Sequence, residues 1–86
     1  MPCISQFYGI SIYVYHQDHA PPHIHAVHAE HIAAYAILTS ERISGDFPPR
    51  AERLVRDWLE LRRAEVMASW ALSHAGDPPI RVAPLD

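Results

Sequence analysis

The sequence predicts a small α+β fold in one domain, residues 1–86, with a three-stranded antiparallel sheet packed by helices in the C-terminal half. Three observations support this prediction. Residues 1–40 contain short stretches in which apolar side chains alternate, which is typical of strands. Residues 46–76 carry apolar side chains at helical spacing instead. With 86 residues, 49% of them hydrophobic and 20% charged, the chain has material for one modest core.

The strands are expected before residue 40. The even-numbered residues from Tyr8 to Val14 are apolar, which is the pattern of a half-buried strand. The pair Pro21-Pro22 excludes helix and indicates a turn. Two further extended stretches follow, separated by Glu30-His31, and they indicate a β-hairpin. We therefore expect a meander of three antiparallel strands at residues 7–16, 23–29 and 32–38.

The second half of the sequence predicts helix. Residues 39–49 have the composition of a connector, and we expect the helix to begin near Asp46. Apolar residues recur at helical spacing as far as Ala71, and Gly76 ends the pattern. The stretch Arg62–Glu65 interrupts the apolar stripe for a full turn. This interruption predicts one long bent helix or, as the preferred interpretation, two helices that meet there.

The remaining residues, 77–86, are expected to form an extended tail, with Ile80–Leu85 as an edge strand or a packed extension. No apolar stretch approaches the roughly 20 residues that span a bilayer, and the N-terminal residues lack the pattern of a signal peptide. Cys3 is the only cysteine, so an intramolecular disulfide is impossible. We expect a cytoplasmic protein without a membrane partner.

Charge also limits the functions that the sequence favours. The formal net charge is −3, and all seven basic residues are arginines. The basic surface of a general phosphate-backbone binder is therefore not expected, although a local arginine surface is compatible with these numbers.

The most unusual segment is HQDHAPPHIHAVHAEH, residues 16–31, which holds six of the seven histidines. In a strand, His23 and His25 point to the same face, so both imidazoles can reach one ion. Glu30 follows five residues after His25, and a bend there would add its carboxylate. Imidazole and carboxylate ligands suit Zn, Fe, Mn or Ni. The segment therefore predicts one divalent transition metal bound by His23, His25 and Glu30.

Residues before the two prolines extend this hypothesis. If the turn folds back, it would supply a further ligand, or a carboxylate that accepts a hydrogen bond from an imidazole, with His16, Asp18 and His19 as the candidates. In the competing interpretation, His23 and His25 are satisfied polar groups that order the turn. The remaining histidines are expected at the surface, namely His28, His31 and His74.

The histidines also suit acid–base catalysis, because imidazoles titrate near neutral pH. The candidate catalytic residues are His19, His23 and His25. Chemistry on a phosphodiester would further need a cation to stabilise the developing charge, for which Arg42 or Arg50 are candidates. Covalent catalysis is not indicated, since no serine lies in a Gly-x-Ser-x-Gly turn. The sequence leaves open whether the protein is an enzyme.

Three stretches of the chain carry a resemblance to a known family. They are MPCISQFYGISIYVYHQDHAPPHIHAVHAE, FPPRAERLVRDWLELRR and IRVAPL. Together they resemble the domain of unknown function 4160, a family of small bacterial proteins, over essentially the whole chain. The most specific part is Asp18-His19-x-Pro21-Pro22-His23-x-His25. The sequence departs from the family at Cys3, where threonine is usual, at Ala29, where a turn glycine is usual, and at Arg62, where a helix histidine is frequent.

Members of this family have no established activity, so the resemblance does not indicate whether the protein is an enzyme. Genes of this family often look like partners of another small gene, in the manner of toxin–antitoxin pairs. The resemblance therefore implies a protein-interaction module whose functional surface is the His-Pro-Pro-His turn and whose partner is a small cognate protein encoded nearby. The alternative is a metal-dependent or His-based ribonuclease or hydrolase that uses the same histidines, and RNA is an expected partner only in that case. A homo-oligomer is compatible with either hypothesis.

Overall fold

The computed structural model describes residues 2–16 and 19–86. In this part of the chain, five antiparallel strands form one sheet in sequential order, and one long helix follows them. The α+β class agrees with the prediction, whereas the prediction of a three-stranded sheet packed by two helices was wrong. The elements are β1 (Cys3–Phe7), β2 (Ile10–Tyr13), β3 (His23–His28), β4 (His31–Ala36), β5 (Arg42–Gly45) and α1 (Pro49–His74).

The first hairpin replaces the single strand that was expected over residues 7–16. Tyr8 and Gly9 form its turn, with φ values of 49° and 77°. Positive φ at both central residues is what a type I′ hairpin turn requires. The even-numbered residues of β2 are buried, as their alternation predicted, but Tyr8 is 59% exposed because it lies in the turn. The sequence pattern assigned Tyr8 to the buried face of a single strand. For this reason it did not reveal the turn at Tyr8-Gly9 or the separate strand β1 before it.

The second hairpin joins β3 to β4; β3 lies within the range expected for the second strand, and β4 begins one residue before the range expected for the third. Its two-residue loop is Ala29-Glu30, and the pairing is continuous from His23↔Ala36 to His28↔His31. Ala29 has a φ of 54°. The departure from the family pattern at Ala29 thus falls on a left-handed backbone position that glycine adopts more readily.

Strand β5 lies in the stretch that was expected to be a connector. The Ala36 N–H donates to the Glu41 carbonyl at 2.8 Å, which closes the turn between β4 and β5. All four residues of β5 are exposed, so no apolar alternation marks this strand in the sequence. Gly45 ends it with a φ of 81°, and a Cβ at Gly45 would collide with the Ile32 carbonyl oxygen. This glycine marks a close approach of two strands, not a flexible connector.

The helix α1 begins at Pro49, three residues after the expected start near Asp46, and ends at His74. Proline is well suited to the first helical position, where its missing N–H has no intrahelical partner. The expectation of two helices was wrong because α1 continues through residues 62–65. Arg62 nevertheless has non-helical torsion angles, with φ −116° and ψ 21°, so the helix is distorted where the apolar stripe is interrupted.

The core lies between α1 and one face of the sheet. Alternation along β2 and β3 turns Ile12 and Ile24 toward α1, and both are fully buried. Trp58 of α1 is also fully buried, and its ring lies 5.5 Å from that of Phe7. Burial of each such side chain contributes roughly 1.5–3 kcal/mol to stability. We call the sheet face that points away from α1 the outer face; its central row is Tyr13, His25, Ala34 and Ser44.

The tail packs along β1 as an extension and does not form the edge strand that was considered possible. The Val82 N–H donates to the Ile4 carbonyl at 2.7 Å, and the Val82 side chain is buried. The Trp58 indole N–H donates to the Ala83 carbonyl at 2.8 Å. The tail therefore covers the β1 edge of the sheet. No helix in the described residues is long and apolar enough to cross a membrane.

A polar contact ties the β5 end of the sheet to α1. The Tyr35 hydroxyl of β4 donates to Glu52 Oε2 at 2.9 Å, and Arg42 Nε of β5 lies 2.8 Å from the same oxygen. Burial, followed by the hydrogen bond and the negative charge of Glu52, raises the pKa of Tyr35 far above its usual range. Tyr35 is thus held as a neutral donor inside the core.

Candidate functional site

The outer face carries the central part of the histidine-rich segment. Because side chains alternate along β3, the core contains Ile24 and Ala26, while His23 and His25 lie on the outer face. The register then places Tyr13 and Ala34 on either side of His25. The sequence alternation is therefore sufficient to bring His23 and His25 together, as predicted.

The turn before β3 helps to form a cavity on this face. Its volume is about 330 Å³, within the roughly 300–1,000 Å³ of many ligand sites. Alanine at position 34 leaves room above the sheet, and the turn at residues 19–21 provides one wall. We call this space the histidine cavity, and the residues that line it are His19, Ala20, Pro21, His23, His25, Ala34, Ile43 and Ser44.

Three histidine rings line the histidine cavity, and the ring of Tyr15 packs against one of them. The centroids of the His23 and His25 rings are 4.9 Å apart, with an interplanar angle of 66°. The His19 ring lies 6.1 Å from that of His23. On the other side, the Tyr15 ring meets His25 edge to face at 4.3 Å. The three candidate catalytic histidines are therefore neighbours in the structure.

A backbone contact determines the tautomer of His23. His23 Nδ1 lies 2.7 Å from the Pro21 carbonyl oxygen. Because a carbonyl can only accept, Nδ1 must carry the proton and donate it. In the neutral ring, the lone pair is then on Nε2, which is the arrangement of histidines that act as metal ligands or general bases. His23 is also buried, with 6% of its surface exposed, so its orientation is well constrained.

The structure separates Glu30 from this pair. Glu30 lies in the loop at the far end of β3, where its carboxylate is 3.7 Å from His31 Nε2. At about 3.3 Å per strand residue, that loop is more than 10 Å from His25. The carboxylate therefore does not reach the histidine cavity in this conformation.

His16 and Asp18 are the remaining candidate ligands. His16 does not line the histidine cavity: it lies beside Gly76, where a Cβ would come within 3.0 Å of the His16 ring. Asp18 lies outside the described residues. Across residues 2–16 and 19–86, no group of three or more histidine, cysteine, aspartate or glutamate side chains is arranged to hold a metal ion. Of the predicted ligands in the described residues, only His19, His23 and His25 are brought together.

The arginines that were considered as phosphate partners lie elsewhere. Arg42 points to the helix side of the sheet and pairs with Glu52. Arg50 lines a different cavity, at the start of α1. No arginine is among the described residues that line the histidine cavity. A phosphodiester bound there would therefore lack the expected cation from these residues.

Sequence reasoning did not identify several residues of the site, among them Tyr15, Ile43 and Ser44. The alternation of residues 8–15 placed Tyr15 away from the core, and the expected meander put its strand beside β3, but the contact of Tyr15 with His25 was not predicted. Ile43 and Ser44 belong to β5, whose sequence carries no strand pattern. Only the sheet pairing brings these side chains to the histidines.

Comparison with known proteins identifies one family. The family model described as "Domain of unknown function (DUF4160)" matches residues 9–71. The matched range includes β2 to β5, the histidine-rich segment and most of α1. No curated protein and no solved structure matches the chain.

Proposed function

The chain belongs to the DUF4160 family, and since that description states no activity, we propose a function from the site itself: the protein is a small interaction module of toxin–antitoxin type. Its partner is a small cognate protein encoded nearby, and both act in the bacterial cytoplasm. One observation carries the proposal. The helix covers a single face of the sheet, and on the outer face the histidine cavity adjoins the exposed edge strand β5.

The two edges of the sheet differ in a way that supports this proposal. The tail protects the β1 edge through the hydrogen bond from Val82 to Ile4. Strand β5, by contrast, is hydrogen-bonded to β4 and exposes all four of its residues. An uncovered edge strand can pair with an extended segment of another protein. Such a segment of the cognate protein would lie along β5.

The histidine cavity lies beside β5, where it can select the side chains of a segment that pairs with this strand. Ile43 and Ser44 of β5 line the cavity together with His23 and His25. A segment on β5 would therefore present alternate side chains to Ile43 and to the imidazoles. Main-chain pairing supplies affinity in such complexes, whereas the pocket selects the side chain.

The experiment is a titration of the purified product of the neighbouring gene into the protein, with calorimetry as the measurement. We expect His25→Ala to weaken binding at least tenfold, because its ring forms the cavity wall. The matched control is His31→Ala at the other end of the same hairpin, and it should change the affinity less than twofold. Ile43→Asp should weaken binding in the same way, whereas Ile80→Asp, which alters an isoleucine that is also exposed, should not.

Equal effects of His25→Ala and His31→Ala would contradict the proposed surface, as would the absence of any binding by the cognate protein. Circular dichroism of each variant distinguishes a lost contact from a lost fold.

We further propose that His23 and His25 hold one divalent transition metal, Zn, Ni, Fe or Mn, which orders the turn. In this proposal Nε2 is the atom of His23 that would meet the metal, because Nδ1 lies 2.7 Å from the Pro21 carbonyl oxygen. His19 is the nearest further imidazole, so it replaces Glu30 in this proposal. Elemental mass spectrometry of tag-free protein should find metal in the wild type that is lost in the double variant His23→Ala/His25→Ala. Metal-free, folded wild type would refute the metal proposal and leave partner binding untouched.

The second candidate function is a His-based or metal-dependent ribonuclease or hydrolase at the same site. The observation that favours it is the oriented His23 ring beside His25, since such a pair can exchange protons with a substrate. None of the described lining residues is an arginine, which argues against a phosphodiester substrate. Turnover of RNA or of an ester that disappears in His25→Ala, with the fold preserved, would favour the enzyme over the interaction module.

A further inference from the structure

A second, larger cavity lies at the opposite end of β3 from the histidine cavity. Its volume is about 520 Å³, a size typical of small-molecule sites. The first hairpin turn and the start of α1 form its walls, and its lining residues are Tyr8, His28, Pro48, Arg50, Ala51 and Leu54. The proposed function does not use any of them. We call this space the turn cavity.

The charge of the turn cavity is opposite to that of the chain. The whole chain has a formal charge of −3 with neutral histidines. In the turn cavity, Arg50 supplies a positive charge, and none of the lining residues within 2–16 and 19–86 is a carboxylate. A guanidinium in such a setting favours a planar anion, because it can donate two parallel hydrogen bonds to a carboxylate.

Tyr8 is an unusual residue for its position. With a φ of 49°, it occupies the turn site at which asparagine, aspartate or glycine is preferred. A left-handed conformation is unfavourable for a bulky side chain, and such strain often marks a functional site. The ring gains little from burial, since Tyr8 is 59% exposed. Its place in the wall of the turn cavity gives this residue a role that folding alone does not explain.

The other lining residues indicate which chemical groups the rest of the ligand would carry. Pro48, Ala51 and Leu54 are apolar, and with the Tyr8 ring they suit a flat hydrophobic group. His28 Nδ1 lies 3.0 Å from the Gly9 carbonyl and must donate to it. The lone pair of the neutral ring is then on Nε2, which can accept a hydrogen bond from a ligand hydroxyl.

We propose that the turn cavity binds a small aromatic carboxylate, with the carboxylate on Arg50 and the aromatic ring against Tyr8. This inference is independent of the proposed function, because partner binding uses the outer face.

The test uses 6-hydroxy-2-naphthoate as the probe and its amide, 6-hydroxy-2-naphthamide, as the uncharged control, with binding followed by calorimetry and NMR. For a probe of about 14 non-hydrogen atoms, a Kd of about 0.1–1 mM is expected. The amide should bind at least tenfold more weakly. Arg50→Gln should reduce carboxylate affinity by a similar factor. Arg53→Gln, three residues further along α1 and outside the lining, should change it less than twofold.

Tyr8→Asn separates the ligand role from a structural one. Asparagine fits the left-handed turn position better, so this variant should raise the Tm by about 4–8 °C. It should nevertheless weaken carboxylate binding at least tenfold, because the ring is lost. Equal affinity for the carboxylate and the amide, or equal effects of Arg50→Gln and Arg53→Gln, would overturn the proposal. Unchanged binding by a stabilised Tyr8→Asn variant would overturn it as well.

Discussion

At the scale of single residues, the turns of the sheet depend on backbone conformations that most amino acids adopt at a cost. Tyr8, Ala29 and Ser40 all have positive φ values. For an L-residue with a Cβ, the left-handed region costs roughly 1–2 kcal/mol. The ligand site proposed in the turn cavity accounts for a tyrosine at position 8. Nothing in the structure explains an alanine at position 29.

Replacing Ala29 by glycine should therefore stabilise the protein. We expect Ala29→Gly to raise the free energy of unfolding by about 1 kcal/mol, because the left-handed strain disappears. Urea denaturation followed by circular dichroism measures the change. Ala26→Gly, in the buried part of β3, is the control and should be destabilising. A destabilised Ala29→Gly variant would show that the loop is not strained in solution.

At the scale of the elements, the contact between Tyr35, Glu52 and Arg42 determines how the β5 end of the sheet meets α1. Each partner comes from a different element, β4, α1 and β5 respectively. The local sequence patterns of these three elements do not indicate the contact. Neutral Tyr35 donates a hydrogen bond to a carboxylate inside the core, so ionisation of this tyrosine would place two negative charges side by side.

This contact predicts a loss of stability at alkaline pH. The pKa of Tyr35 is raised in the folded protein above its ordinary value of 10.0. The stability that it contributes is thus fully present below pH 10 and is lost as the pH rises from there through the folded-state pKa. Denaturation midpoints measured across this range should fall for the wild type. Tyr35→Phe should lose about 1 kcal/mol at neutral pH and show a smaller fall above pH 10.

Tyr13→Phe, on the outer face, provides the matched control and should keep the alkaline fall of the wild type. If Tyr35→Phe also kept it, the ionisation of Tyr35 would not be its cause.

At the scale of the whole molecule, one helix and a five-stranded sheet leave the protein with two distinct faces. The inner face buries the apolar residues against α1, while the outer face carries the histidine cavity and ends at the exposed strand β5. The tail closes the opposite edge. The proposed function is assigned to the β5 side because this edge strand is exposed and adjoins the histidine cavity.

The sequence by itself determined the α+β class, the hairpin of β3 and β4, and the shared face of His23 and His25. Each of these depends on local periodicity, because alternation in a strand assigns every residue to a face. The number of strands in the sheet was not determined, because β1 and β5 are short. All residues of β5 are exposed, so its sequence shows no alternation of buried and exposed side chains. Only the tertiary structure decided which residues surround the histidines. Pairing of β4 with β5 brought Ile43 and Ser44 to them, while Tyr15, beyond the end of β2, contacts the His25 ring. Glu30 lies at the other end of the hairpin. Pairing register is a long-range property, and the spacing of residues along the chain does not reveal it.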